Sequence, residues 1–177
     1  MSILLKKYQS EIAPNLKKQF GYSSIMAAPR ITKVVINTGF GRRVKEEQER
    51  IKKALTRIGG QLVADRPARK SIASFKTRQG QVVGAVTTLR GERMYSFLAK
   101  LFFIALPRTR DFRGIDERAV DQSGNLTVGV KEHIVFPEAL GEDARSVFGF
   151  EATIVTNAKS RPEALALFKA LGAPFKK

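Results

Sequence analysis

The strongest constraint on the fold is a period of two in residues 30–41, RITKVVINTGFG. In an extended chain, successive side chains point to opposite faces. Val34 and Ile36 therefore share one face, whereas Lys33 and Asn37 share the other. A cation and an amide on a small apolar floor do not suit a hydrophobic core. The pattern predicts a strand with one buried face and one open, polar face.

A second segment, VVGAVTTLR (82–90), repeats this alternation. Val86, Thr88 and Arg90 project to one side of the predicted strand, and the residues between them project to the other. Lysine and arginine neutralise phosphates, whereas amides and hydroxyls bind riboses, base edges and bent backbones. The two strands together predict a face suited to a polyanion. A solvated outer face with a few polar side chains is the alternative interpretation.

Apolar residues at helical spacing predict helices on the buried side of this sheet. The predicted helices span residues 2–20, 45–58, 92–106 and 161–171. Pro14 is expected to kink or split the first helix and Pro107 to close the third, because proline lacks an amide hydrogen and its ring clashes with the preceding turn.

Further strands are predicted at residues 61–65, 126–136 and 150–158. Residues 72–76 fit either a strand or an extended loop, and residues 126–136 fit either a strand pair or one long strand. The order of elements predicts an α+β fold: a mostly antiparallel sheet with helices packed on one face and the other face open. Because no linker, repeat or low-complexity tract interrupts the sequence, residues 1–177 are expected to form a single domain.

The charge is unevenly distributed along the chain. Lysine and arginine number 32 against 16 aspartates and glutamates, which gives a net charge of +16. Residues 1–65 carry 13 basic and 5 acidic side chains, and residues 66–113 carry 11 basic and 2 acidic ones. Residues 114–177 carry 8 basic and 9 acidic ones. The first two-thirds of the chain are therefore expected to meet a polyanion.

Three interpretations of this charge remain open. Nucleic acid is favoured, because the most apolar helix, residues 92–106, is expected to lie in the core and to be too short to cross a bilayer. A membrane-surface or acidic-protein adaptor is the alternative from another class. Charge that serves only solubility is the third, although such surfaces usually interleave both signs.

The residue inventory argues against an enzyme. His133 is the single histidine, there is no cysteine, and a structural role in a predicted strand is the simplest interpretation. Glu138, Glu142 and Asp143 cluster, but a solvated loop explains them. No metal, cofactor or small-molecule substrate is therefore expected.

Two glycine motifs are too weak to indicate a ligand. GFG (39–41) lacks the third glycine of a dinucleotide loop, because Val44 occupies that position. FGF (148–150), with Arg145 nearby, faintly echoes the aromatic motif of RNA-binding sheets. Core packing is the preferred interpretation, since this third of the chain is not basic.

The N-terminal sequence MSILLKKYQ contains no long apolar run, so neither a signal peptide nor a membrane span is expected. The absence of cysteine is compatible with a reducing compartment. A cytoplasmic location is therefore expected.

Several motifs resemble, in the same order, the bacterial-type large-subunit ribosomal protein five family. They are Pro29-Arg30, VVINTGFG (34–41), Gly60-Gln61, ARKSIASFKTRQG (68–80), TLRGERMYSF (88–97), LPRTRDFRGI (106–115), VKEHIVFPE (130–138) and PFKK (174–177). The resemblance implies a ribosomal protein that binds 5S rRNA in the central protuberance, with 23S rRNA and other proteins of that region nearby. It also implies contacts with the peptidyl-site tRNA and with a small-subunit protein at an intersubunit bridge.

The resemblance also implies which residues make these contacts. Matching positions imply rRNA contacts at Asn37, Gln61 and Thr88, with Lys33 on the same strand face, and at Ser24 and Met26 in a further segment. Arg69, Lys70 and Arg90 are added as cations of the basic segment. The FKxRQG motif implies a tRNA-contacting loop over residues 75–84, with contacts at Phe75, Lys76, Arg78, Gln79 and Gly80.

Four positions depart from the family pattern. Val82 stands where a proline is common, and Val86 stands where a basic residue is common. Ser123 and Leu126 replace an arginine and a tyrosine of a turn motif. These four departures are expected to affect the affinity for RNA and the contact with tRNA.

Overall fold

The computed structural model describes residues 2–41, 43–139 and 147–176. The helices are α1 (Ile3–Lys7), α2 (Ala13–Phe20), α3 (Lys45–Gly59), α4 (Gly91–Lys100), α5 (Leu106–Arg108) and α6 (Arg161–Ala170). The strands are β1 (Ile31–Gly39), β2 (Ala64–Pro67), β3 (Val82–Leu89), β4 (Leu126–Val130) and β5 (Phe150–Thr156). Two π turns, Tyr8–Ile12 and Leu101–Ala105, continue α1 into α2 and α4 into α5.

The strands form one antiparallel sheet in the order β2-β3-β1-β5-β4. In the central strand, Val34 lies opposite Leu89 of β3 and Ile154 of β5. All three side chains are fully buried, so they mark the face that packs against the helices. The predicted α+β fold with an antiparallel sheet is confirmed.

The helices bury the apolar residues that the sequence predicted. The fully or nearly fully buried side chains of α3, α4 and the second π turn are Ile51, Ala54, Leu55, Ile58, Met94, Phe97, Leu98, Leu101, Phe102 and Ala105. Residues spaced three and four apart lie on one side of a helix, and that side faces the sheet here. Among the residues that the structure describes, no such apolar layer covers the other side of the sheet.

The two long helices carry proline without breaking. Pro14 and Pro107 each come two residues after a π turn ends, at Ile12 and Ala105 respectively. A π turn widens the helix locally, which accommodates a proline ring that would clash with the preceding turn of a regular helix. The expected split at Pro14 is therefore a widened turn, and the third helix ends at Arg108, one residue beyond Pro107.

Three strand boundaries differ from the prediction. The strand predicted at 61–65 lies at Ala64–Pro67. Of the two alternatives for residues 72–76, the loop is found: Ile72 forms an isolated bridge with Thr77, and residues 73–76 form turns. The strand predicted at 126–136 ends at Val130. His133 lies beyond it in a 3-10 turn, where its amide donates to the Phe148 carbonyl at 3.0 Å. The bounds of these segments are set by hydrogen bonds to distant parts of the chain, and local sequence patterns do not reveal such bonds.

Candidate RNA-binding surface

The face of the sheet turned away from the helices is called here the open face. Its central residues are Lys33, Val35 and Asn37 of β1 and Val86 and Thr88 of β3. The register places Val35 opposite Thr88 and Asn37 opposite Val86. Because directly opposed residues share a face, the residues predicted from the two alternating segments lie together, as the sequence indicated.

Asn37 lies at the middle of the open face. Val86 lies beside it on β3, and Glu151 lies beside it on β5. Val86 is only 7% exposed and forms an apolar floor. The Asn37 amide is exposed and forms no side-chain hydrogen bond with the described residues. Both its donor and its acceptor are therefore available to a ligand.

A groove of about 670 Å³ adjoins the open face where β3 ends. Gln61 lies on one wall, and its Nε2 donates to the Thr88 carbonyl at 3.2 Å. This position follows from the sequence: Gly60, with φ of 65°, ends α3 in a left-handed conformation and turns the chain toward β3. Arg90 and Arg93 line the groove as well.

Unpaired cations surround these polar residues. Within the described ranges, Lys33, Arg90 and Arg93 form no ion pair, and neither does Arg66, which the register of β2 places on the open face opposite Gly84. Elsewhere the structure does pair its cations, as Lys52 with Asp65 at 2.6 Å. When an unpaired cation binds a phosphate, no internal ion pair has to be broken, so binding loses no free energy to that step.

Lys52 and Lys100 differ from the unpaired cations, because each is bonded to a partner within the protein. The hydrogen bond that Lys52 donates to the Asp65 carboxylate raises the pKa of Lys52, which stays charged and paired with Asp65. Lys100 lines the groove, but its ammonium donates to the Ile58 carbonyl at 2.9 Å and to the Glu138 carboxylate. It therefore connects α4 to the end of α3 and supports the wall that carries Gln61.

Most of the predicted tRNA-contacting loop lies in a projecting arm, defined here as residues 69–80, whereas residues 82–84 of that loop begin β3. Its base continues the β2–β3 ladder, because the Ala68 amide donates to the Gln81 carbonyl at 2.8 Å. Halfway along, Ile72 and Thr77 exchange two backbone hydrogen bonds of 2.9 and 3.1 Å. Phe75 lies in the turn between them and is 65% exposed. The arm is an ordered hairpin-like extension with an aromatic tip.

The arm contains the predicted tRNA-contacting residues and also two of the predicted rRNA-contacting residues. Phe75, Lys76, Arg78, Gln79 and Gly80 are all exposed in it. Arg69 and Lys70, which the sequence grouped with the rRNA contacts, also lie in the arm and not on the open face. The reason is that β2 ends at Pro67, before these two cations.

Ser24 and Met26 precede β1 and are not part of the sheet. They belong to a 3-10 turn before β1, in which the Ser24 hydroxyl accepts from the Met26 amide at 3.3 Å. The Met26 side chain is 82% exposed. The structure thus presents an apolar side chain beside the sheet, while the serine is engaged in its own turn.

The residues rejected as catalytic or ligand-binding have structural roles. His133 is buried and stacks on Phe148 with the ring centres 4.1 Å apart. Phe148 and Phe150 are core residues, as predicted. Glu142, Asp143 and Arg145 lie outside the described residues. Among the described residues, no group of three histidine, aspartate or glutamate side chains could hold a metal ion.

Sequence reasoning missed two charged residues of this surface, Arg66 and Glu151. Arg66 falls just outside the strand predicted at 61–65, because the end of the short strand β2 gives no pattern of its own. Glu151 belongs to a strand that was predicted, but its position beside Asn37 depends on the register between β1 and β5.

No helix in the described ranges has the length and apolar character to cross a membrane.

Known proteins are similar to this chain over its whole length. Residues 24–78 match the family described as ribosomal protein L5, and residues 82–175 match the family described as ribosomal L5P family C-terminus. Large ribosomal subunit protein uL5 of Ureaplasma parvum is 50% identical over 179 residues, which cover 100% of this chain and 97% of the relative. The uL5 protein of Halothermothrix orenii is 46% identical, with 99% of each chain covered.

A third relative, uL5 of Symbiobacterium thermophilum, is 45% identical over 99% of this chain and 98% of its own length. These relatives confirm the resemblance found in the sequence and the expected location in the ribosome. The chain therefore belongs to the ribosomal protein L5 family, and it is a structural constituent of the large ribosomal subunit and not an enzyme.

Proposed function

We propose that this protein binds 5S rRNA in the central protuberance through the open face and the adjoining groove. The observation that carries the proposal is the grouping of Lys33, Asn37 and Thr88 on one uncovered sheet face, with Gln61 bonded to Thr88 at its edge. These are the positions at which the family resemblance implies 5S rRNA contacts. Their grouping supports the residue assignment independently of the sequence match.

The chemistry of the surface suits a folded RNA. Lys33, Arg66 and Arg90 supply charge for phosphates, and the Asn37 amide can donate to and accept from a ribose hydroxyl or a base edge. Double-stranded RNA is recognised mainly by shape and by its 2′-hydroxyls. Because Val86 has no polar side-chain atom, it forms no hydrogen bond with the neighbouring Asn37 amide, which stays available to the RNA. The negative charge of Glu151 favours an approach that keeps phosphates on the β3 side of Asn37.

The arm is proposed to contact the peptidyl-site tRNA and a small-subunit protein. Lys76 and Arg78 are exposed cations near its tip, and Phe75 offers an exposed ring. The arm projects from the edge of the sheet, so it can reach a second partner while the open face is occupied. Neighbouring 23S rRNA and other proteins of the central protuberance complete the proposed surroundings.

The test is direct binding of purified protein to 5S rRNA, in competition with fragments of 23S rRNA. Asn37→Ala removes two hydrogen-bonding groups without disturbing an internal bond. The expected loss is about 1–3 kcal/mol, or roughly 5- to 150-fold in affinity, as for buried polar contacts that lose a partner. The matched control is Asn15→Ala, at an exposed position of α2, which should bind as the unchanged protein does.

Thr88→Ala serves as an independent second variant. If Asn37→Ala and Thr88→Ala both retain full affinity for 5S rRNA, the docking face lies elsewhere. Equal affinity for 5S rRNA and the 23S fragments would remove the proposed selectivity.

A further inference from the structure

A second cavity lies on the opposite side of the start of α4 from the groove. Its volume is about 350 Å³, and it is called here the tyrosine pocket. The lining residues are Leu5, Tyr8 and Gln9 of the N-terminal helix, Arg30, Ile31 and Thr32 at the start of β1, and Gly91, Met94 and Tyr95 of α4. No residue predicted from the sequence to bind RNA lines this pocket.

The Tyr95 hydroxyl is available for a hydrogen bond with a ligand. Tyr95 is only 5% exposed, and its hydroxyl forms no hydrogen bond with any residue in the parts of the chain that the structure describes. Among the described residues, only Glu138 Oε2 and Arg161 Nε are fully buried without a partner, so the Tyr95 hydroxyl reaches the pocket and is accessible to a ligand. Burial raises the pKa of Tyr95 to about 12, so the hydroxyl stays neutral and can both donate and accept.

The walls of the pocket are held in place by hydrogen bonds. The Tyr8 hydroxyl donates to the Pro29 carbonyl at 3.1 Å, which fixes its ring 6.2 Å from the ring of Tyr95. The Arg30 amide donates to Asn157 Oδ1 at 2.6 Å, and the Asn157 amide donates back to the Arg30 carbonyl at 3.1 Å. These bonds fix the Tyr8 ring and the backbone at Arg30 on two sides of the pocket.

Arg30 supplies a charge at this site. Its side chain is exposed and forms no ion pair with the described residues. It lies close enough to both tyrosines for its positive charge to oppose the effect of burial on the pKa of each. The pocket thus combines two aromatic rings, one unpaired hydroxyl, the Gln9 amide and a cation.

This combination matches one nucleotide. A base has flat apolar faces and a polar edge, and its phosphate carries a negative charge. Recognition of unstacked RNA bases commonly uses aromatic side chains together with hydrogen bonds to the base edges. The volume is at the lower end of the range for small-ligand pockets, which suits a single base and excludes a paired one.

We propose that the tyrosine pocket binds one unstacked nucleotide of the RNA that occupies the open face, with the base against the tyrosine rings, its edge at the Tyr95 hydroxyl and its phosphate at Arg30. The inference rests on the proposed function. Continuity of the surface supports it, since Gly91 of the pocket directly follows Arg90 of the groove. A looped or bulged strand that passes the end of the sheet reaches both cavities.

The first test is Tyr95→Phe, which removes only the hydroxyl. Since no internal hydrogen bond is lost, the melting temperature should not fall. Affinity for 5S rRNA should weaken about 3- to 10-fold, as for one lost hydrogen bond. Tyr22→Phe is the control for RNA affinity, which should not change, because Tyr22 packs against Phe20 and lies outside the pocket. The Tyr22 hydroxyl interacts with Glu163, so this variant is not a control for the melting temperature.

A direct readout uses the small number of tyrosines. The chain has 3 tyrosines and no tryptophan, so protein labelled with 3-fluorotyrosine gives three ¹⁹F resonances. Saturating 5S rRNA should shift the signals of Tyr8 and Tyr95 and leave that of Tyr22 in place. Adenosine and uridine 5′-monophosphates form separate arms. If they shift the same two signals while Tyr95→Phe leaves RNA affinity intact, the pocket takes free nucleotides and the RNA assignment is wrong.

The outcome is distinguishable from failure of the proposed function. If Asn37→Ala weakens 5S rRNA binding while the Tyr8 and Tyr95 signals stay unmoved, the open face stands and the pocket proposal is overturned. If RNA binding survives both Asn37→Ala and Thr88→Ala, the open-face proposal itself fails.

Discussion

The electrostatic part of RNA binding predicts a definite salt dependence. Lys33, Arg66, Arg90 and Arg93 are unpaired around the open face and groove, and Arg30 is unpaired at the tyrosine pocket. Each phosphate contact contributes about −0.7 to −0.9 to the slope of log affinity against log salt concentration. If all five cations bind phosphates, the slope is about −4. Raising the salt concentration about threefold should then weaken 5S rRNA binding roughly 80-fold.

Arg90→Gln tests whether the slope comes from this surface. Loss of one contact should make the slope less steep by about 0.7–0.9, so the variant should differ from the unchanged protein more at low salt than at high salt. Arg118→Gln makes the same change in net charge in the 3-10 turn Glu117–Ala119, outside the open face and groove. Its slope should match that of the unchanged protein.

The assay is filter binding or fluorescence anisotropy with 5S rRNA at a series of potassium chloride concentrations and constant magnesium. A flat plot would refute the electrostatic reasoning. Equal changes of slope in Arg90→Gln and Arg118→Gln would show that net charge matters and that the position of the cations does not.

Two further predictions concern the arm and the sheet. Arg78→Ala should leave 5S rRNA affinity unchanged but weaken peptidyl-site tRNA binding in assembled subunits; an equal loss in both assays would contradict the division of roles between arm and open face. A Cβ at Gly84 would lie 2.6 Å from the Thr38 carbonyl oxygen, whereas one at Gly39 meets nothing within 4 Å. Gly84→Ala should therefore cost about 1–3 kcal/mol and lower the midpoint of thermal unfolding, while Gly39→Ala changes it little. Both proteins should unfold in one cooperative transition if the chain is a single domain, and two separate transitions would argue against that.

The faces of the central strands could be predicted because they depend only on alternation. Alternation predicts that Lys33 and Asn37 share one face of their strand and that Thr88 and Arg90 share one face of theirs, since a period of two assigns each side chain to a face. The inward residues of α3 and α4 followed from helical spacing in the same way. These features are local, and local patterns are what a sequence displays directly.

The rest depends on contacts between distant segments. Glu151 lies beside Asn37 only through the pairing of β1 with β5, and the tyrosine pocket forms only where the N-terminal helix meets α4. Tyr8 and Tyr95 are 87 positions apart in the sequence, and each fits a helix on its own. The widened turns before Pro14 and Pro107 were also hidden, because a proline in a helical pattern favours a break or a kink.

The strand β3 links the two proposed binding regions directly. Thr88 lies near one end and Val82 lies at the other, where the chain enters from the arm. Six steps of about 3.3 Å in a paired strand make a spacer of roughly 20 Å, and hydrogen bonds to both β1 and β2 keep it straight. If the open face and the arm bind two nucleic acids as proposed, the length of β3 sets the distance between the two binding regions.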